Sequence, residues 1–525
     1  MNRFSLLLLL PLLGALAACE PTERTNPEAK KHHPAPQPAE QPSEPTAPEP
    51  RPEPTPAPPP AAPTPAPADA ILVVKATGQD YNILLPWQKE RPGQESALGV
   101  YLGNNLVLTL AKPLQAATFV ELATADESRN VPARVLRRDD DLNLALVTLL
   151  HEEDASLFAD RKPLSLGAPL AQGDAAEVGG FVDGLTPFRI SGSVQGSSEV
   201  VPRQNLRLSA PLADGNEHGA PALREGKLVG LSDGYEDAGQ MLRLINAELI
   251  ERFLSEHHQA GTPILGVQFT ELDDPALRRY LELPEGQTGL YVSKVIPGGS
   301  AAAAGLAEGD VITALEGLSI DSRGRVNHPL YGPIDAAAAL RILKPLGESV
   351  TFTLYRNGEQ VQLPVELNLA LNDTPLHHEL NADEAPRYIL WGGLVFQPLS
   401  ESYLRALRSQ GNRGELPLSF LRLAEQEQAL TEDGISEVVA LTLIIPTPAT
   451  LGYEESRLSV IKAVNRKPVH NFAEFEQLLD EPTEDNITTL TIDRAPYAIH
   501  IDRSAAETAN DLIRRKGIPT LRVTK

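Results

Sequence analysis

The chain has 525 residues, of which 42% are hydrophobic and 22% charged, and its net charge is -24. The length predicts three or four domains, and the apolar content suffices for several cores. The acidic balance argues against nucleic acid as a partner and against electrostatic docking on anionic lipid. Cys19 is the only cysteine, so no intramolecular disulfide can form and the folded parts must be held by their cores.

The first 19 residues read as a leader. Arg3 is a short basic head, and residues 4–18 are an apolar stretch too short to span a membrane comfortably. It ends in Leu16-Ala17-Ala18-Cys19, which resembles a bacterial lipobox. That resemblance implies acylation of Cys19 and a lipid anchor in a bacterial cell envelope facing the periplasm, inner or outer membrane left open. An ordinary signal peptide, or a short core helix, with an incidental cysteine is the alternative. Residues 20–69 follow as a Pro-rich disordered linker, with 18 of the 47 prolines falling in 20–68. Proline blocks regular helix, and the segment cannot bury a core. It reads as a polyproline-II spacer or as a featureless tether, and His32-His33 within it is not taken as a metal site.

From Ile71 the composition shifts to short apolar runs separated by turn residues, as in an all-β barrel or sandwich. Residues 71–74, 98–102, 106–109 and 144–147 are predicted strands, and 247–254 a short closing helix. Residues 261–369 form a second unit. Within it, 289–292 is strand-like, 335–343 has helical spacing, and Asn357-Gly358 between two apolar runs signals a hairpin. A polar bridge covers 370–387, and a third unit runs over 388–525. There 471–479 has helical spacing, with Asn471 as the N-cap.

The run Leu106-Val107-Leu108-Thr109-Leu110-Ala111-Lys112 resembles the segment that leads to the catalytic His in HtrA/Deg serine proteases. Asn143-Leu144-Ala145-Leu146-Val147 resembles the segment in which that family carries its catalytic Asp. Gly215-Asn216-Glu217-His218-Gly219, followed by Gly226-Lys227-Leu228-Val229-Gly230-Leu231, resembles the nucleophile segment. The resemblance implies a trypsin-like domain over 70–260, and it places Lys112, Asn143 and Glu217 at the three triad positions. With a one-residue insertion His218 replaces Glu217, and neither alignment supplies a serine. Acyl transfer needs a nucleophile, a base and a carboxylate to orient the base. The expectation is therefore a retained fold without peptidase chemistry, with Lys112 and Glu217 free to form an ion pair across the old site. A rebuilt site using Asp140 or Asp141, His218 and Ser209 is the alternative.

Leu265-Gly266-Val267-Gln268-Phe269 resembles the carboxylate-binding loop of a PDZ domain, and 299–312 resembles the helix and turn of HtrA-type PDZ domains. This implies strand addition of a peptide beside Leu265, Gly266, Val267 and Phe269, with Leu340 on the groove helix. The third unit, through Gly392-Gly393-Leu394-Val395-Phe396 and Pro468-Val469-His470-Asn471-Phe472, resembles the divergent second PDZ of plant-type Deg proteases, which implies a role in assembly. The fold expected is mainly β and multidomain: a trypsin-like double β-barrel followed by two PDZ-like α+β domains. The partners expected are C-terminal or unfolded polypeptide segments and the membrane, with a homo-oligomer or an assembly with an active homologue also open. No cofactor and no metal are expected.

Overall fold

The computed structural model describes residues 68–524 apart from 198–201, 262, 264, 297–298, 369–382, 410–418, 421–422, 424–429 and 431–432. The leader, Cys19, nearly all of the Pro-rich segment and most of the 370–387 bridge lie outside the described residues.

Twelve strands make two closed barrels. The first contains β1 (Ile71–Gly78), β2 (Gly93–Gly103), β3 (Leu106–Thr109), β4 (Ala117–Ala123), β5 (Asn130–Asp139) and β6 (Leu144–Leu149), in the order β1-β2-β3-β6-β5-β4. The second contains β7 (Ala175–Val182), β8 (Thr186–Ser197), β9 (Gln204–Leu208), β10 (His218–Arg224), β11 (Lys227–Glu236) and β12 (Met241–Asn246), in the order β10-β11-β12-β9-β8-β7. Alternation of apolar and polar residues drives closure. In β1, Leu72, Val74 and Ala76 face one core, while Ile71 belongs to the other. Asn104 and Asn105, both at positive φ, make the tight turn between β2 and β3.

Helix α1 (Ala247–Leu254) closes the second barrel. Asn246 caps it by accepting the Ala247 N–H, and the same oxygen accepts the Leu170 N–H. Its buried face holds Leu249, Ile250 and Phe253, each contributing about 1.5–3 kcal/mol of burial.

The second unit is a sheet of β13 (Val267–Glu271), β14 (Leu290–Val295), β15 (Val311–Leu315), β19 (Ser349–Arg356) and β20 (Glu359–Glu366) in that order, with β16 (Leu318–Ser319) beside β15. Three helices accompany it: α2 (Pro275–Tyr280), α3 (Ser300–Ala304) and α4 (Ala336–Leu343), the last capped by Asp335. The turn Asn357-Gly358 has positive φ at both residues, the geometry that matches strand twist in a two-residue hairpin. A separate hairpin of β17 (Arg325–His328) and β18 (Gly332–Asp335) had no sequence signal. It reaches the second barrel, where Ser197 Oγ donates to the Tyr331 carbonyl (2.6 Å) and Gln204 Nε2 to the Leu330 carbonyl (3.2 Å). One continuous core runs from Leu110 through α1 to Leu367, joining the barrels to this unit.

The third unit holds β21 (Tyr388–Trp391), β22 (Leu394–Pro398), β23 (Val439–Ile444), β24 (Ser459–Val464), β25 (Lys467–Pro468), β26 (Ile487–Ile492), β27 (Ala498–Asp502) and β28 (Arg522–Val523), in one sheet ordered β27-β26-β24-β23-β22-β21-β28, with β25 on β24. Helices α5 (Glu401–Ser409), α6 (Phe472–Asp480) and α7 (Arg503–Arg515) flank it. Asn471 caps α6 through the Glu474 N–H, as the sequence predicts.

Candidate functional site

Lys112, Asn143 and Glu217, which the resemblance aligns with a triad, come from three separate stretches of chain. Lys112 opens a 3₁₀ turn just beyond β3, with Pro113 in its first turn. Asn143 ends the loop before β6 in a left-handed conformation (φ 58°), which asparagine tolerates. Its Oδ1 accepts the Lys112 backbone N–H (2.8 Å), so two of the three positions touch. Its Nδ2 donates to Asp233 Oδ1 (2.8 Å). Asp233 in turn is ion-paired with the Arg203 guanidinium, which also donates to the carbonyls of Leu142 (2.8 Å) and Pro202 (3.2 Å). Arg203 is only 4% exposed.

Glu217 lies directly before β10, half-buried, and His218 beside it is exposed. Asn216 fixes this loop. Its side chain accepts the Phe181 N–H (3.0 Å) and donates to the carbonyls of Phe181, Ala213 and Asp214. Gly219 has φ +82°, and a Cβ there would lie 2.0 Å from the Leu98 carbonyl oxygen. Only glycine fits.

The expected ion pair between Lys112 and Glu217 does not form among the described residues. Asn143 anchors the Lys112 main chain while its side chain points to solvent, and Glu217 stays with the Asn216 loop. Of the alternative rebuilt site, Asp140 and the Ser209 main chain are engaged away from His218. Asp140 is held by Arg138 and Gln115. Ser209 bonds through its main chain to Ser191, and Ser232, fully buried, accepts the Ala220 N–H. Neither hydroxyl is bonded to a histidine.

Sequence reasoning missed Arg203, Asp233 and a second buried pair. His258 Nε2 meets Asp139 Oδ2 at 2.8 Å, and Asp139 Oδ1 also accepts the Leu142 N–H. Burial pushes the His258 imidazole below its ordinary pKa, although Asp139 pulls the other way. The pair tethers the segment after α1 to the loop that carries Asn143. No residue spacing announces these partners, because each pair joins distant parts of the chain.

In the first PDZ-like unit the structure brings the predicted residues together. Gly266 is left-handed (φ +69°), and a Cβ would meet the Gly299 Cα at 3.2 Å. The Leu265 carbonyl accepts the Ala301 N–H and the Gly266 carbonyl the Ile296 N–H. Leu265, Val267 and Phe269 pack half-buried against the core that contains Leu340. Among the described residues β13 pairs only with β14, so its other edge is unpaired. The α4 helix also has a second role. Arg252 of α1 donates to the Arg341 carbonyl (2.6 Å), so α4 is braced by the peptidase-like unit. In the third unit the corresponding strand β22 has no free edge, since β21 and β23 flank it and β28 extends the row.

No helix of the described residues is long and apolar enough to cross a membrane. A trypsin-like peptidase domain profile matches residues 97–231, and PDZ domain profiles match 263–367 and 378–523. Protease Do-like 2, chloroplastic, of Arabidopsis thaliana is 25% identical over 467 residues, covering 85% of this chain and 73% of that protein. Periplasmic serine endoprotease DegP of Salmonella typhimurium is 23% identical over 433 residues, covering 78% and 74%. Among solved structures, HtrA-type protease AlgW with decapeptide aligns with a TM-score of 0.41 at 19% identity, over 58% of this chain and 96% of that one. The chain is a homologue of the Deg/HtrA proteases, built as a trypsin-like peptidase domain followed by two PDZ domains.

Proposed function

We propose that this chain is a membrane-anchored, peptide-binding relative of the Deg/HtrA proteases whose peptidase domain does not hydrolyse, acting as a scaffold or chaperone-like quality-control factor in the cell envelope. The observation that carries the reading is the trio Lys112, Asn143 and Glu217. It offers no hydroxyl or thiol nucleophile, and Asn143 is engaged with Asp233 where a triad would have a carboxylate orienting a base. Loss of the nucleophile or base of a triad costs on the order of 10⁶-fold in rate. What remains useful is the β13 edge. A peptide main chain can pair there, and the N–H groups around Gly266 can receive a terminal carboxylate. The lipobox-like Leu16-Ala17-Ala18-Cys19 supplies the anchor, and the relatives named as periplasmic support an envelope setting.

The test is calorimetric titration of the purified protein with peptides ending in Val or Leu, with a free or amidated terminus. Binding in the micromolar range is expected, about -8 kcal/mol. Amidation should remove roughly 1.5–3 kcal/mol, the worth of a hydrogen bond to a charged group. Equal affinity for both forms, or no binding, overturns the reading. The anchor is tested separately. Cys19→Ser should leave the protein soluble or unprocessed, and a processed variant that still fractionates with membranes contradicts it.

A further inference from the structure

We propose that a tyrosine-lined cleft on the first PDZ domain, apart from its free β13 edge, binds basic polypeptide segments through their Lys or Arg side chains. The cleft has a volume of about 550 Å³ and is formed by four separate stretches of chain: the end of α2, β14, the turn before β15 and the β19–β20 hairpin. No residue of β13 lines it.

Three tyrosines converge there. Tyr291 and Tyr355 are half-buried, whereas Tyr280 stands 83% exposed at the end of α2, a helix that buries none of its own residues. Among the described residues none of the three rings stacks on another aromatic ring or carries a cation of this chain. The face of such a ring attracts a cation placed within about 6 Å of its centre.

Charge selects the ligand. Among the described residues lining the cleft Arg356 is the only cationic side chain, and it is already committed. Its Nε and Nη2 donate to the two oxygens of Asp310 (2.7 and 2.6 Å), and Nη2 also donates to the Gly305 carbonyl (2.9 Å). Asp310 is buried, so this pair is a neutral floor. Glu282 and Glu308 are exposed on the rim, and among the described residues neither carries an ion pair. The Glu282 carboxylate lies over the hairpin turn, 3.2 Å from where a Cβ on Gly358 would sit. Two unbalanced carboxylates beside tyrosine faces fit an ammonium or guanidinium and repel an acidic chain. The volume exceeds what one such head group fills, so the fit is to side chains borne on a polypeptide.

The test uses the full chain and a fluorescent pentapeptide, Gly-Lys-Arg-Lys-Gly, blocked at both ends so that it has no terminal carboxylate for the β13 edge. Anisotropy should report binding, with Gly-Gln-Gln-Gln-Gly at least about tenfold weaker. Glu282→Gln combined with Glu308→Gln should weaken the basic peptide about tenfold, and Tyr280→Ala about fivefold. The same variants should bind a free Val-terminated peptide as the parent does, which keeps this result separate from that of the β13 edge. Three outcomes overturn the proposal: no binding of the basic peptide, equal weakening by the remote pair Glu455→Gln with Glu507→Gln, or displacement by choline at the peptide's own concentration.

Discussion

Asn143 takes an N–H from Lys112 and gives one to Asp233, and this double role makes it hard to reverse. Asn143→Asp would set a carboxylate oxygen about where the amide nitrogen now lies, 2.8 Å from Asp233 Oδ1. Two carboxylates that close cannot both ionise cheaply, although Arg203 offsets part of the repulsion. We expect Asn143→Asp to lower stability by about 1–3 kcal/mol at neutral pH. The loss should shrink in acid as the pair gains a proton, and Asp233→Asn in the same chain should cancel it; urea unfolding across pH reads both. Restoring His, Asp and Ser at 112, 143 and 217 should therefore not restore turnover. Gly219 is a second fixed point. Gly219→Ala forces a methyl against the Leu98 carbonyl at positive φ, and a loss of about 3 kcal/mol or more is expected in the same assay.

Helix α1 shows how an element joins two units and what that costs. Glu248 is pushed up to about 7, first by burial, against the pull of Arg252 and with a smaller push from Glu251. One of its oxygens, Oε2, is buried without a hydrogen-bond partner. An acid whose folded pKa is raised costs nothing below its unfolded value near 4.5. The cost grows from there to about pH 7 and then stays constant. Glu248→Gln should accordingly raise the unfolding free energy at pH 8 by about 1–2 kcal/mol, discounted for partial exposure, and change little below pH 4.5. A gain that persists equally in acid would contradict the assignment. Elements with local signals were legible in the sequence: α1, α4, α6 with Asn471, and the Asn357-Gly358 hairpin. The β17–β18 hairpin was not, because its strands bury residues against another unit and show little alternation of their own. The triad-type positions Lys112, Asn143 and Glu217 rest on the resemblance to HtrA/Deg segments and not on spacing. The Arg203–Asp233 and Asp139–His258 pairs were not legible, since burial and geometry create them.

At the scale of the whole molecule, the segment between β1 and β2 acts as a strap on the third unit. Ile83 and Leu84 pack against the core that contains Leu399, Tyr403 and Leu404, and Trp87 meets Tyr388 edge-on with ring centres 6.2 Å apart. Gln397 Nε2 donates to the Ile83 carbonyl (3.0 Å), and Asp383 joins the first barrel by pairing with Arg138 and accepting the Ala116 N–H (2.9 Å). Trp87→Ala should remove about 2 kcal/mol from this contact. Calorimetry should then show the third unit melting before the barrels, where the parent melts with them. With β22 flanked on both sides, β13 is, among the described residues, the carboxylate-loop strand that keeps an unpaired edge. On the proposed reading the protein binds chain ends and does not cut them. The most direct measurement is incubation of the purified protein with fluorescently labelled unfolded casein, following fragment release over hours. No release above a protein-free control is expected. Steady release that co-purifies with the protein and is abolished by a serine-directed fluorophosphonate would contradict that reading.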